Sequence, residues 1–174
     1  MATPVVNFTK YKIPKFWDDS YKTLDYIQEP FNDLESLQLW REQGYGDKIT
    51  GYMCDMRQAQ PSWNQQFINI YREMSWQDIG TSYYRMDTGT VLPRHRDLYR
   101  KYIELFSLQG QEHRIRRAIV FLEPWSSGHY AECCDVPVVD WQAGTVIEWA
   151  FDAPHVAANL GLAPRYTLQI TGHV

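Results

Sequence analysis

Cysteine is scarce in this 174-residue chain, with only Cys54, Cys133 and Cys134. An odd number of cysteines without paired spacing excludes a disulfide framework and fits a reducing compartment. Nothing approaches the roughly 18 consecutive apolar residues of a membrane span. The opening residues Met1-Ala2-Thr3-Pro4-Val5-Val6 show no charged region followed by an apolar one, so no signal peptide is expected. Charge of one sign is lacking too: 17 Lys and Arg stand against 21 Asp and Glu, a formal net charge of −4. That balance excludes an acidic disordered tail and argues against a nucleic-acid partner, whose binders carry a basic excess. No repeat or low-complexity tract is present. The expectation is one soluble, cytoplasmic domain over residues 1–174, without a membrane partner.

Aromatic residues are abundant, 15% of the chain with seven Trp and twelve Tyr. Such side chains build large cores, and Tyr and Trp also line pockets through their one polar atom. The sequence changes character near residue 78. Before it, Asn32-Asp33-Leu34-Glu35 reads as a helix start, Leu34, Leu37 and Trp40 share helical spacing, and Gly44 offers a stop. A second start is Ser62-Trp63-Asn64-Gln65, followed by Phe67, Ile70, Tyr71 and Met74 on one face. Residues 1–78 are therefore expected to be a helical and irregular part packed on the rest.

From residue 79 onward the pattern shortens to strands. Thr81 to Met86 is β-branched and aromatic, and Asp87-Thr88-Gly89 turns the chain. Ile115 to Leu122, Thr145 to Trp149, Pro154 to Ala157 and Tyr166 to Thr171 follow, with turn signals between them. This predicts a mainly β fold with N-terminal helices (α+β), built as a sandwich or barrel rather than a parallel α/β sheet. The segment 98–112 reads equally as strand, helix or lid.

Five histidines allow each to be weighed. In an extended segment His95 and Asp97 point to the same side and offer an imidazole nitrogen and a carboxylate oxygen to one point. His155, among small and apolar residues, supplies a second imidazole from another strand. Two His and one carboxylate leave the remaining metal positions open, the geometry of non-haem Fe(II) oxygenases. Taken alone, His95-x-Asp97 is a surface salt bridge and His155 a buried imidazole bonded to a carbonyl. Arg165 and Thr167 share a strand face beyond the turn at Asn159 to Gly161, and an Arg with a hydroxyl grips a carboxylate well. The ordered series His-x-Asp, His, Arg-x-Thr is far more specific than its parts.

With this series the chain resembles the Fe(II)- and 2-oxoglutarate-dependent oxygenases, whose double-stranded β-helix (a jelly-roll, cupin-like core) carries HxD…H…RxS/T. Gly89 to His95, Arg116 to Leu122, Trp141 to Gly144 and Pro154 to Arg165 are most similar to the aspartyl/asparaginyl β-hydroxylase branch. The resemblance covers residues 80–174. It implies that His95, Asp97 and His155 hold Fe(II) and that Arg165 with Thr167 binds the far carboxylate of 2-oxoglutarate. It implies a cosubstrate contact at Tyr84 and another, to cosubstrate or substrate carboxylate, at Arg116. Strand parity makes Arg116 and Arg117 alternatives, because only one can face the pocket, and the branch favours Arg116. The implied reaction consumes O2, converts 2-oxoglutarate to succinate and CO2, and hydroxylates an aliphatic C–H of a small polar, amino-acid-like molecule or a peptidyl side chain. Ala118 stands where the branch often has His, and the metal carboxylate Asp97, which some branch members lack, is retained. Both departures point away from an aspartyl-residue substrate.

Trp149, Ile119 and Phe121 are candidate pocket walls or plain core, and Tyr99 a candidate lid residue. Arg94, Arg96, Arg100 and Lys101 form either a rim attracting an anionic substrate or a solvated face. Cys133-Cys134 with His129 lacks zinc-site spacing and reads as structural thiols. The rival readings are a cupin-like metal-binding module and a metal-dependent cupin enzyme that does not use 2-oxoglutarate. The sequence sets no oligomeric state.

Overall fold

The computed structural model describes residues 8–54 and 60–174. Two antiparallel sheets dominate, with few helices, as the short-strand pattern predicts. The larger sheet runs in the order β1 (Phe8–Lys12), β9 (Thr145–Ala150), β6 (Ile115–Phe121), β11 (Arg165–His173), β4 (Gln77–Met86), β3 (Tyr52–Cys54) and β2 (Tyr26–Gln28). The smaller one runs β5 (Val91–His95), β10 (His155–Asn159), β7 (His129–Cys133), β8 (Val136–Val138). No described helix is long and apolar enough to cross a membrane.

The segment expected to be only helical and irregular does more. It does contain α1 (Leu34–Glu42) and α2 (Asn64–Glu73). It also supplies β1, β2 and β3, which extend both edges of the large sheet. Strands of three to five residues at a sheet edge leave too little alternation to be read from sequence. Helix α1 begins one residue later than its sequence signal. Asp33 is the cap, accepting from the Ser36 amide at 3.2 Å, and Leu34 lies 72% exposed rather than on the inner face with Trp40. The ambiguous segment after residue 98 contains a short helix, α3 (Arg100–Leu105).

Side-chain alternation gives the large sheet two different faces. On one, Tyr83, Ala118, Val120, Val146, Leu168 and Ile170 meet Trp63, Phe67 and Tyr71 of the α2 region. Phe67 and Tyr71 are fully buried, each worth about 1.5–3 kcal/mol of transfer free energy. Asn64 is turned into this layer as well, accepting from the Tyr83 hydroxyl at 2.9 Å. Met74, expected on the same stripe, caps the helix and is 44% exposed. The opposite face looks toward the small sheet. There Ile119, Phe121, Ile147 and Trp149 meet Ala131, Cys133 and Val138, and Tyr84 and Met86 meet Leu92 and Trp40. Because α2 covers the first face, the polar residues of the second are enclosed between the sheets.

Candidate metal centre

His95 ends β5, and its partner across the antiparallel ladder is His155, the first residue of β10. Their ring centroids lie 4.2 Å apart. A register shift between His155 and Ala157 breaks the ladder beside the pair, as bulges often do near sites. Asp97 follows two residues after His95, and its Oδ1 stands 3.8 Å from the Nε2 of each imidazole. One ligating atom from each of His95, Asp97 and His155 lies within 4.8 Å of the others, space enough for a cation between them.

Hydrogen bonds fix the direction of all three groups. His95 Nδ1 lies 2.8 Å from the Pro93 carbonyl, and His155 Nδ1 lies 3.0 Å from the Ala153 carbonyl. A carbonyl only accepts, so each Nδ1 carries the proton and each Nε2 presents a lone pair. Burial, and then the neighbouring His155, lower the His95 pKa to about 4, keeping it neutral. Burial alone would raise Asp97, but Arg117, then His155 and His95, outweigh it and hold the carboxyl at about 2. Its outer oxygen, Oδ2, accepts from the Tyr99 hydroxyl at 3.1 Å and faces Arg117 Nε at 3.5 Å. A neutral His95 and an ionised Asp97 are protonation states that suit a metal.

The same inner pocket, about 60 Å³, is lined by Arg165, Thr167, Tyr84, Ile119 and Trp149. Arg165 is 6% exposed. Its Nη1 donates to the Tyr130 carbonyl at 2.9 Å, and the guanidinium lies 5.4 Å from the Phe121 centroid and 5.3 Å from Trp141. Its Nε has no partner, and no carboxylate pairs with it among the described residues. Burial depresses its pKa to about 10, still cationic at neutral pH. A buried cation without a counter-ion is costly, and an anion would relieve it. Thr167 sits directly opposite Tyr84 on β4 and so shares that face.

Tyr84 lines the pocket, but its hydroxyl is engaged. It donates to Glu29 Oε2 at 2.5 Å and accepts from the Gly51 amide at 2.7 Å. A Cβ on Gly51 would meet the Tyr84 ring at 2.7 Å, so glycine permits this approach. Glu29 joins the site without a sequence signal of its own. It reaches the site from the connection between β2 and α1, which carries no motif.

Arg116 is a correction. It bonds to the carbonyls of His113 and Ile115 and lines neither cavity of the site. Arg117 takes the inward place, donating to Thr171 Oγ1 at 2.5 Å and Gln169 Oε1 at 2.7 Å. The reason is parity: Arg116 alternates with Ala118 and Val120, which face α2, whereas Arg117 alternates with Ile119 and Phe121. Among the wall candidates, Trp149 lies 4.9 Å from the His155 ring. Phe121 stacks on Trp141 beneath Arg165 and does not line the pocket itself. Tyr99 lines an outer cleft of about 400 Å³ that opens onto the same His95 and Asp97. Of the basic residues, Arg94 pairs with Asp135 and Arg96 with Asp152, and Arg96, Arg100 and Lys101 line the outer cleft. Cys133 and Cys134, with sulfurs 3.8 Å apart, take no part in the His–Asp cluster.

No protein-family model matches the chain, and no curated protein matches it. Solved structures do. A Pseudomonas putida prolyl-4-hydroxylase is similar with a TM-score of 0.55 at 16% identity, over 89% of this chain and 95% of that one. A 2OG-Fe(II) oxygenase family oxidoreductase from Burkholderia pseudomallei is similar with a TM-score of 0.51 at 13% identity, over 89% of this chain and 76% of that one. At these identities the likeness establishes one thing, that the chain shares the fold of those two proteins.

Proposed function

We propose that this protein is an Fe(II)- and 2-oxoglutarate-dependent dioxygenase hydroxylating an aliphatic C–H of a small polar molecule or a peptidyl side chain. One observation carries the reading. A buried guanidinium, paired with no carboxylate among the described residues, stands in the same pocket as the His95, Asp97 and His155 cluster. Strand order supports it. From β4 to β11 the chain visits the large, small, large, small, small, large, small and large sheet in turn, the interleaving that a double-stranded β-helix, or jelly roll, requires. The fold shared with two oxygenases is in keeping with this.

In this reading His95, Asp97 and His155 hold the iron through Nε2, Oδ1 and Nε2. Such a donor set suits Fe(II) and leaves positions for a chelating cosubstrate. Arg165 and Thr167 take the far carboxylate of 2-oxoglutarate. Bound iron with 2-oxoglutarate and O2 supplies the oxidising power, with succinate and CO2 as co-products. The protein contributes placement and exclusion of water. The Pro93 and Ala153 carbonyls hold the imidazole tautomers, and Tyr99 and Arg117 hold Asp97 by its outer oxygen. Trp149 and Ile119 wall the pocket. Tyr84 borders the cosubstrate with its proton committed to Glu29, so any contact to the cosubstrate requires that bond to yield. The aspartyl/asparaginyl β-hydroxylase branch remains the nearest reading of the motif spacing, with Arg117 in the inward role assigned to Arg116.

A cupin-like metal module, or a metal enzyme that does not use 2-oxoglutarate, would leave Arg165 buried without purpose. The test is succinate release from 2-oxoglutarate in air with Fe(II). Slow release that a chelator abolishes is expected. Iron binding with neither 2-oxoglutarate binding nor succinate would favour the metal module.

A further inference from the structure

Two side chains of opposite charge, Glu29 and Arg117, line both the inner pocket and the outer cleft, so both stand where the two cavities join. Glu29 has no ion pair among the described residues, and Arg117 has one, through Nε to Asp97. Arg117 has five N–H donors. One bonds to Thr171 and one to Gln169, which hold the planar fork, while Nε lacks a hydrogen-bond partner. That Nε faces the Asp97 carboxylate at 3.5 Å. Glu29 receives the Tyr84 hydroxyl on Oε2, and its other oxygen has no described partner. Burial raises its carboxyl pKa and the Tyr84 hydrogen bond opposes it; Asp97 adds to the rise and Arg117, nearby but not ion-paired, lowers it, with a net rise. No ion pair joins Glu29 to Arg117 among the described residues. Glu29 is thus a half-buried carboxyl without a cation paired to it among the described residues, and Arg117 keeps N–H donors open beyond those to Thr171 and Gln169.

We infer that this junction takes a small zwitterion, a free α-amino acid, with Arg117 receiving its carboxylate and Glu29 its ammonium. The inference deepens the oxygenase reading and rests on it for the assignment of the outer cleft as the substrate side. A guanidinium fork matches a carboxylate geometrically, and a carboxylate with one open oxygen matches an ammonium. The outer cleft, about 400 Å³, is within the usual range for small-molecule sites. A residue inside a peptide carries neither head-group charge, because both are consumed in peptide bonds. Such a ligand would bury Glu29 and Arg117 further without satisfying either. The junction therefore selects against the peptidyl alternative.

The test uses protein loaded with Zn(II) and 2-oxoglutarate, which binds without turning over, and protein alone as a parallel arm. Ligand-observed NMR and thermal shift are read for a panel of free L-α-amino acids and for each one N-acetylated or C-amidated. At least one free amino acid is expected to bind, with each capping weakening it by about tenfold or more, as loss of a charge-assisted hydrogen bond does. In Glu29→Gln the penalty for N-acetylation should disappear while that for amidation persists, and in Arg117→Gln the reverse. A general loosening of the fold would lower all affinities without moving these ratios. Equal binding of capped and free compounds, binding of peptides only, or no binding across the panel overturns the inference. Failure of 2-oxoglutarate and metal to bind is a separate result and overturns the oxygenase reading, while the capping comparison on the protein alone still decides this one.

Discussion

His95 and His155 face each other as a cross-strand pair of β5 and β10, and both Nε2 atoms lie 3.8 Å from the same oxygen of Asp97. Residues 60 positions apart in sequence are thereby made neighbours by one ladder contact. The pairing makes the site sensitive to register, because a one-residue slip of β10 would turn His155 to the other face.

The division of labour between the triad and Arg165 is separable. His155→Ala is expected to abolish specific Fe(II) binding. Arg165→Met, which keeps the buried volume, is expected to retain iron and to weaken 2-oxoglutarate by about 1.5–3 kcal/mol. Anaerobic calorimetry with metal and then with cosubstrate measures both. Equal loss of iron in the two variants would contradict the assigned roles.

Neighbouring arginines on β6 should behave oppositely. Arg117→Met removes the cation behind Asp97 Oδ2 and is expected to lower metal affinity by about 10- to 100-fold. Arg116→Ala, outside both cavities, is expected to leave metal affinity near that of the parent. Metal titration of the pair checks this, and the opposite order would mean that β6 lies one residue out of register.

Tyr99→Phe isolates the other contact on Asp97. It deletes the hydroxyl at 3.1 Å from Oδ2 while keeping the ring in the outer cleft. A smaller loss of metal affinity than in Arg117→Met is expected, since a neutral donor is replaced by none and the charge remains. A titration showing no change would mean that Arg117 alone orients the carboxylate.

The helical layer is expected to govern stability rather than chemistry. Phe67 is fully buried against the outer face of the large sheet, away from the metal side. Phe67→Ala should cost about 3–5 kcal/mol, seen as a lower denaturant midpoint, while the folded protein keeps its metal affinity. Loss of metal affinity in the folded variant would show that α2 positions the site as well.

Much of this was legible in the sequence because strand chemistry has a period of two. Arg165 and Thr167 are an i, i+2 pair on β11 and both line the inner pocket, while Asp97 lies two residues beyond His95, just past the end of β5, and still meets it at one point. The same rule was enough to choose Arg117, which alternates with Ile119 and Phe121, the residues read as pocket walls. Branch resemblance outweighed it and pointed to Arg116. Other features left no periodic trace. Glu29 enters from an irregular connection, and its meeting with Tyr84 spans 55 residues. Strands β1, β2 and β3 are short edge additions whose partners lie far along the chain. Tyr84 lines the pocket, and the direction of its proton depends on Glu29 and Gly51, which only the fold brings near.

The most direct test of the central claim is optical. Under anaerobic conditions, iron-loaded protein titrated with 2-oxoglutarate is expected to develop a weak visible metal-to-ligand charge-transfer band, absent in His155→Ala and shifted to higher 2-oxoglutarate concentration in Arg165→Met. Folded, iron-loaded protein that gains no band at saturating 2-oxoglutarate would contradict the account.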